Sequence, residues 1–412
     1  MLGNFLGIKE FSKKFQKVKG VTLLGVGPVT KNTIIAILQI ASEYDFPVFL
    51  IASRNQVDKK EFGGGYLCGW DQKGFISGVE ELIKTSSIFP KAIYFCRDHG
   101  GPWQRDKELN EKIPHNYAIE IAKKSFLADL KAGFDLFHID PTKNPFLKEE
   151  KEPLKIIIND TVELIAFIEE QRKKLNLPEV SYEVGTEDIK GGLTQPGYFS
   201  KFLTTLKKQL NERKLPLPDF IVGQTGTLVK FDTNTGFFNP DFAKELAKIS
   251  YENGCFLKEH NADYLDEESL KMHPILGISA ANVAPEFGVT EIKTILRLSY
   301  LVQEGEKFRS LLTKKVLSEN KWQKWVPEHL KCISEDTFRK DPGIRNKVVT
   351  SCGHYYLEDP ELKQNKDILF NAISIKTGIR PEREVIESIK RSIFKYICAF
   401  NLKDLNKKIL LE

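Results

Sequence analysis

The feature that most constrains this chain is a short apolar run that recurs eight times, each ending in polar or small residues. The runs occupy residues 21–25, 48–53, 92–99, 134–140, 180–186, 219–225, 254–260 and 275–280. Runs this short and β-branched, bounded by turn residues, read as strands buried on both faces, the signature of a parallel sheet. Between them lie amphipathic stretches at helical spacing, clearest in 33–43, 118–131 and 161–174 and repeated in 200–214, 241–252 and 290–303. Strand then helix, eight times over, predicts a (β/α)8 barrel. A doubly wound open sheet is the competing arrangement; eight units with polar residues at nearly every strand end favour closure.

The rhythm stops near residue 305. Trp322, Trp325, Pro327 and Pro342 punctuate the remaining stretch, and helical patterns return in 362–376 and 382–399. The chain therefore divides into a barrel, 1–304, and a helical C-terminal extension, 305–412, packing on it. Lys and Arg number 61 against 56 Asp and Glu, and the excess of +5 is not gathered into a basic tail, which argues against a nucleic-acid partner. No apolar run reaches the roughly 18 residues of a membrane span. The basic stretch Lys13, Lys14, Lys17 and Lys19 comes after the first apolar residues instead of preceding them, unlike a secretory signal. Cys68, Cys96, Cys255, Cys332, Cys352 and Cys398 lie far apart with no CxxC pair, so a cytoplasmic protein with reduced thiols is expected.

Barrel enzymes act at the C-terminal ends of their strands. Those ends carry Asn55 and Gln56, then Asp98 and His99, His138 and Asp140, Glu183 and Glu187, and Gln224. Glu259, His260 and Asp263 belong to the seventh run and its end, and Asn282 and Glu286 to the end of the eighth. Three of the seven histidines fall on this rim. Taken singly, each is more simply a hydrogen-bonded core residue. Their convergence with carboxylates is what suits a divalent metal such as zinc or manganese. His99 and His260 are the leading ligands, with Glu183 or Glu187 as the carboxylate; His138, inside its strand, is the weakest candidate. Asn55, Gln56, Gln224 and Asn282 are placed to contact substrate. Asp98 beside His99 is the candidate base, though neighbouring strand residues share one site only where the strand frays. A metal on a ketose carbonyl with a carboxylate moving the proton is enediolate chemistry, as in aldol cleavage or epimerisation. Glycine clusters at 63–65, 100–101 and 191–192 offer backbone amides for a phosphate or carboxylate, or simply turns. None is a nucleotide fingerprint.

Several of these strings together resemble the non-catalytic (Z-type) subunit family of tagatose-bisphosphate aldolase, a class II aldolase-like barrel. They are Ser53-Arg-Asn-Gln-Val57 with Phe62-Gly-Gly-Gly-Tyr66, Asp98-His-Gly-Gly-Pro102, and Ala132-Gly-Phe leading to His138-Ile-Asp140. Gly185-Thr-Glu187, Glu259-His260 with Asp263-Tyr264, and the paired Tyr355-Tyr356 come next in the same order. Asp98, His99, Asp140, Glu187 and His260 occupy matching positions, which makes Asp98, Asp140 and Glu187 the candidate catalytic acids. The resemblance implies sugar or sugar-phosphate metabolism, with members described as partners of a catalytic aldolase subunit and relatives associated with metal-dependent epimerisation. The family pattern has an arginine before the paired tyrosines, where this chain reads Thr350-Ser-Cys-Gly-His354. A neutral, singly charged or nucleotide-linked sugar is thus open beside a bisphosphate. Two functions are compatible with these features. One is a metal-dependent aldolase or epimerase; the other is a non-catalytic subunit, or a homo-oligomer, that docks a partner through exposed Trp322 and Trp325.

Overall fold

The computed structural model describes residues 6–86, 88–185, 193–330, 336 and 340–412. The barrel strands are β1 (Leu23–Val26), β2 (Val48–Ser53), β3 (Ile93–Gly100), β4 (Leu136–Ile139), β5 (Ser181–Gly185) and β6 (Phe220–Val222). A small hairpin, β7 (Val229–Lys230) with β8 (Thr233–Asn234), interrupts them before β9 (Phe256–Glu259) and β10 (Ile278–Val283). All eight barrel strands are parallel, and β10 pairs with β1 to close the ring. The (β/α)8 barrel read from the rhythm is the fold that forms.

The helices begin earlier than apolar periodicity alone suggests. Pro153, Pro196, Pro240 and Pro285 each stand at the first turn of a barrel helix, where the missing N–H costs nothing and the fixed φ already suits the helix. One boundary needs correction. The run at 275–280 is not all strand: Asp266 caps a helix, Glu267–Leu276, that carries Ile275 and ends at Gly277 in the left-handed region (φ 85°). The strand starts only at Ile278, so Asn282 lies within it, paired in register with Gly25.

The N-terminal end of the barrel is closed by the helix Ile8–Phe15. Phe11 packs against Phe49 and Tyr94, with ring centroids 5.4 and 5.1 Å away, and Phe15 against Phe256 at 5.2 Å. An aromatic floor thus fills the barrel interior at its N-terminal end.

Beyond the barrel, Pro342 does not mark a break but opens the helix Pro342–Cys352, with Asp341 as its cap. The helix Pro381–Ala399 lies against Lys31–Tyr44 and Pro285–Ser299, spanning the seam where the barrel closes. Tyr396 and Ser392 donate to the Glu286 carboxylate at 2.6 and 2.7 Å, and Lys395 pairs with it at 2.7 Å. Trp322, expected to be exposed, is 4% exposed and belongs to the core. Trp325 is half-buried and donates to the Tyr355 hydroxyl. The aromatic interface expected from these two residues is therefore not on the surface. Among the described residues no helix is long and apolar enough to cross a membrane, and Cys68, Cys96, Cys255, Cys352 and Cys398 are free thiols.

Asp263 fixes the start of Pro285–Ser299 by accepting from the amides of Ala284 and Glu286 through one oxygen, Oδ1, at 3.0 and 2.8 Å. Burial, and then the neighbouring Glu286 carboxylate, push its carboxyl up from 3.8 to about 7. A carboxyl raised on folding binds its proton more readily in the native state, so stability is fullest near pH 4 and declines toward about pH 7. Asp263→Asn keeps an oxygen for both amides and removes the titration. Urea midpoints measured across that window should fall for the parent chain and fall less for the variant; parallel curves would show that Asp263 does not titrate there.

Candidate functional site

The site begins with an irregularity in β3. Arg97 is paired with Phe137 of β4 but Gly100 with Ile139, so three steps along β3 match two along β4. The extra residue is a β-bulge, and His99 takes it up with φ 43°, a conformation unusual for a residue with a side chain. The bulge breaks the alternation that would otherwise send Asp98 and His99 to opposite faces. Both now line one cavity of about 510 Å³ at the barrel mouth.

His99, His138 and His260 converge below that cavity, with one nitrogen from each within 4.8 Å of the others. His99 Nδ1 lies 2.7 Å from Asp140 Oδ2, and His260 Nε2 lies 3.0 Å from Glu183 Oε1. A neutral imidazole has one N–H. With those protons given to the carboxylates, His99 Nε2 and His260 Nδ1 face each other as acceptors, 3.2 Å apart. His138 Nδ1 accepts from the His99 backbone N–H at 3.2 Å, while its buried Nε2 has no hydrogen-bond partner among the described residues. Burial pushes His138 below its ordinary pKa and keeps it neutral. Asp140 is held far below the usual carboxylate range: burial works against this, and the hydrogen bond from His99, helped by the electrostatics of the surrounding imidazoles and Lys143, overcomes it.

Glu183 sits behind the histidines. Its Oε2 accepts from Lys258 Nζ at 2.6 Å, and its Oε1 is 3.6 Å from His138 Nδ1. Burial would neutralise both Glu183 and Lys258, yet each holds the other charged: the carboxyl is lowered, the ammonium raised. Asp98 accepts from Asn282 Nδ2 at 3.0 Å and lies 3.9 Å from His260 Nε2. The close approach of Asn282 depends on Gly25, where a Cβ would stand 2.3 Å from Asn282 Oδ1.

The structure thus brings together Asp98, His99, Asp140, Glu183, His260 and Asn282. Asn55 and Gln56 line the cavity as expected. Gln224 is not among the cavity-lining residues; its backbone amide donates to Thr194 Oγ1. Glu187 and the 191–192 glycines fall outside the described residues. His138, the weakest candidate in the sequence, is the third histidine, and its two-residue spacing from Asp140 was the available signal. Lys258 was missed. It stands two residues before His260, on the same face of β9, in a strand otherwise buried.

The Glu183–Lys258 pair has almost no exposure, and removing one member strands the other. Lys258→Met should destabilise the chain by about 3–5 kcal/mol in urea unfolding, and adding Glu183→Gln should recover most of that loss. A cost for the single change within error of zero would contradict the buried pair.

Residues 8–212 match the model of the GatZ/KbaZ-like family, described as D-tagatose-1,6-bisphosphate aldolase subunits. No curated protein matches the chain by sequence. Among solved structures, it is similar to a probable tagatose 6 phosphate kinase from Sinorhizobium meliloti 1021, at TM-score 0.70 and 18% identity over 92% of this chain and 100% of that one. The fructuronate-tagaturonate epimerase UxaE from Cohnella laeviribosi matches at TM-score 0.56 and 11% identity, over 94% of this chain and 83% of that one. A fructose-bisphosphate aldolase from Campylobacter jejuni matches at 0.52 and 14%, over 96% and 94%. At such identities the likeness is one of fold. The family match adds sequence to it: residues 8–212, just under half of the chain, match the GatZ/KbaZ-like family.

Proposed function

We propose that this chain is a metal-dependent enzyme of aldolase or epimerase type, acting on a sugar or sugar-phosphate derivative. His99, His138 and His260 would hold zinc or manganese, and Asp98 would move the proton. One observation carries the reading: His99 Nε2 and His260 Nδ1 lie 3.2 Å apart, each on a ring whose other nitrogen faces a carboxylate that accepts its proton in a hydrogen bond when the imidazole is neutral. Two acceptors at that distance repel unless a cation or a proton lies between them. Zinc–nitrogen bonds of about 2.0–2.1 Å at tetrahedral angles separate two ligand nitrogens by roughly 3.3 Å. His138 adds a third nitrogen within 4.8 Å of the others, and histidines oriented by outer carboxylates are the usual support of such a site. Glu183, paired with Lys258, serves this arrangement better as the group that orients His260 than as a ligand.

When bound, the ion would supply a Lewis acid for a ketose carbonyl and make the adjacent carbon acidic. Asp98 is the carboxylate available to take that proton. It borders the cavity, and Asn282 fixes one of its oxygens without donating a charge. Return of the proton to the same face or the other, or cleavage of the neighbouring carbon–carbon bond, separates epimerase from aldolase. The family description as an aldolase subunit supports a second reading, in which the barrel serves a catalytic partner. Turnover by the isolated chain would exclude that second reading.

Two experiments test the proposal. Metal content measured on the purified chain should be near one ion per chain and should be lost in the His99→Ala/His260→Ala double variant; full occupancy in that variant would sink the ligand set. Solvent deuterium uptake into ketoses and their phosphates should then be lowered about 10²–10⁴-fold by Asp98→Asn, with metal retained. If excess metal restores the rate, Asp98 only orients the site and the proton-moving role is wrong.

A further inference from the structure

Resting on that reading of the site, we infer that His354 is a specificity-determining residue, whose imidazole Nε2 hydrogen-bonds a free hydroxyl of the sugar at the roof of the mouth cavity. The catalytic side chains rise from the strands, but the roof comes from the C-terminal segment, where Trp325, His354 and Tyr355 line the cavity. His354 stands in the short turn Gly353–Tyr356, which packs on the helix Pro285–Ser299. Neither the metal nor the proton transfer uses it.

One glycine sets how the ring is turned. At Gly288 a Cβ would stand 2.7 Å from His354 Cγ and 2.9 Å from its Nδ1, so the helix meets that edge of the ring only because no side chain is there. Tyr355 and Tyr66 hold the ring from two further sides, with centroids 4.1 and 6.2 Å away. The residue is left 4% exposed. With the Cγ–Nδ1 edge against the helix, the opposite edge, which carries Nε2, is the one turned to the cavity that His354 lines. Nδ1 is buried and has no hydrogen bond of normal geometry among the described residues. A buried imidazole with an unmet nitrogen is costlier than an apolar side chain of similar size. Packing alone therefore does not account for a histidine here; a polar contact on its open edge does.

Charge decides what that contact is. Burial, and then the field of Lys324, push the ring down from 6.5 to about 3. At neutral pH the imidazole is uncharged and has no cation to offer a carboxylate or phosphate. A hydroxyl both donates and accepts, so it suits Nε2 whichever ring nitrogen carries the proton. The faces of Tyr66 and Tyr355 beside it are apolar surface suited to the carbon faces of a sugar. A site built to hydrogen-bond a hydroxyl also rejects the analogue that lacks it, which an apolar pocket does poorly in reverse.

Two measurements test this, and only one needs turnover. In the full-length chain carrying nitrogen-15 histidine, the His354 ring signals are identified by their loss in His354→Gln. They should stay at neutral-ring positions from about pH 5 to 8, and should shift on addition of D-fructose, D-tagatose or one of their 6-phosphates. Deuterium uptake is then followed for whichever of the four sugars exchanges fastest. His354→Leu should raise KM about 10-fold with kcat changed less than about threefold, the loss of one neutral hydrogen bond. His354→Gln, whose amide reaches the place of Nε2, should keep KM within about threefold of the parent, whereas a packing role would favour the leucine. Melting curves establish that both variants are folded. No shift with any of the four sugars, or equal KM in the parent and leucine chains, overturns the inference. A shift in a chain that exchanges no deuterium sinks the catalytic reading alone; exchange without a shift sinks the His354 contact alone.

Discussion

One extra residue in β3 determines what the barrel mouth can be. In a regular strand Asp98 and His99 would point to opposite faces, and only one of them could meet a ligand. The bulge between Arg97 and Gly100 turns both toward the mouth at the cost of a left-handed backbone at His99. Such a conformation costs of the order of 1–3 kcal/mol and persists only where the surroundings impose it. Here the His99 N–H is tied to His138 and its Nδ1 to Asp140, so the strained residue is held at both ends. The next strand along supplies both contacts, which is why β4 and the bulge must form together.

Below that layer the barrel holds charge in a place that normally takes branched aliphatics. Glu183 and Lys258 bring opposite charges into the interior within 2.6 Å, directly beneath the histidines and above the aromatic floor of Phe49, Tyr94 and Phe256. A buried pair of this kind adds little stability over apolar residues of the same size. What it provides is direction. A Glu183 anchored by Lys258 has one orientation, and that orientation fixes which nitrogen of His260 carries the proton. Outside the barrel, Arg97 binds Asp129 and the carbonyls of Ala52 and Val57 while Arg54 binds Asp58 and Glu108, which pins the loops after β2 and β3 without touching the cavity.

How far the sequence could be read depends on how local each feature is. The barrel was legible because eight buried runs and six amphipathic stretches are local patterns, and the strand ends then pointed to Asp98, His99, Glu183 and His260. Helix starts were read too late because Pro153 and Pro285 act through backbone geometry, which apolar spacing does not register. The last strand was misplaced because Ile275 is apolar in a helix as readily as in a strand, and only Gly277 separates the two. The bulge left no pattern at all. Lys258 could not be understood from its own strand, since its partner stands on β5, 75 residues earlier. Trp322 misled for the opposite reason: an aromatic in a stretch where the barrel rhythm has stopped looks exposed until the helices that bury it are in place.

The division between what matches the family and what does not falls across the cavity itself. Asp98, His99, His138 and Glu183 lie within the matched span 8–212, whereas Trp325, Tyr355 and Lys324 lie far beyond it. Both stretches build the site: His260 and Asn282 lie beyond the span with Lys324 and Tyr355, Lys143 lies within it, and the helix Pro381–Ala399 locks the barrel seam through Glu286. Trp325 and Tyr355 stand in the C-terminal segment, outside the strands that hold the histidines, so the upper part of the cavity can vary without disturbing the barrel.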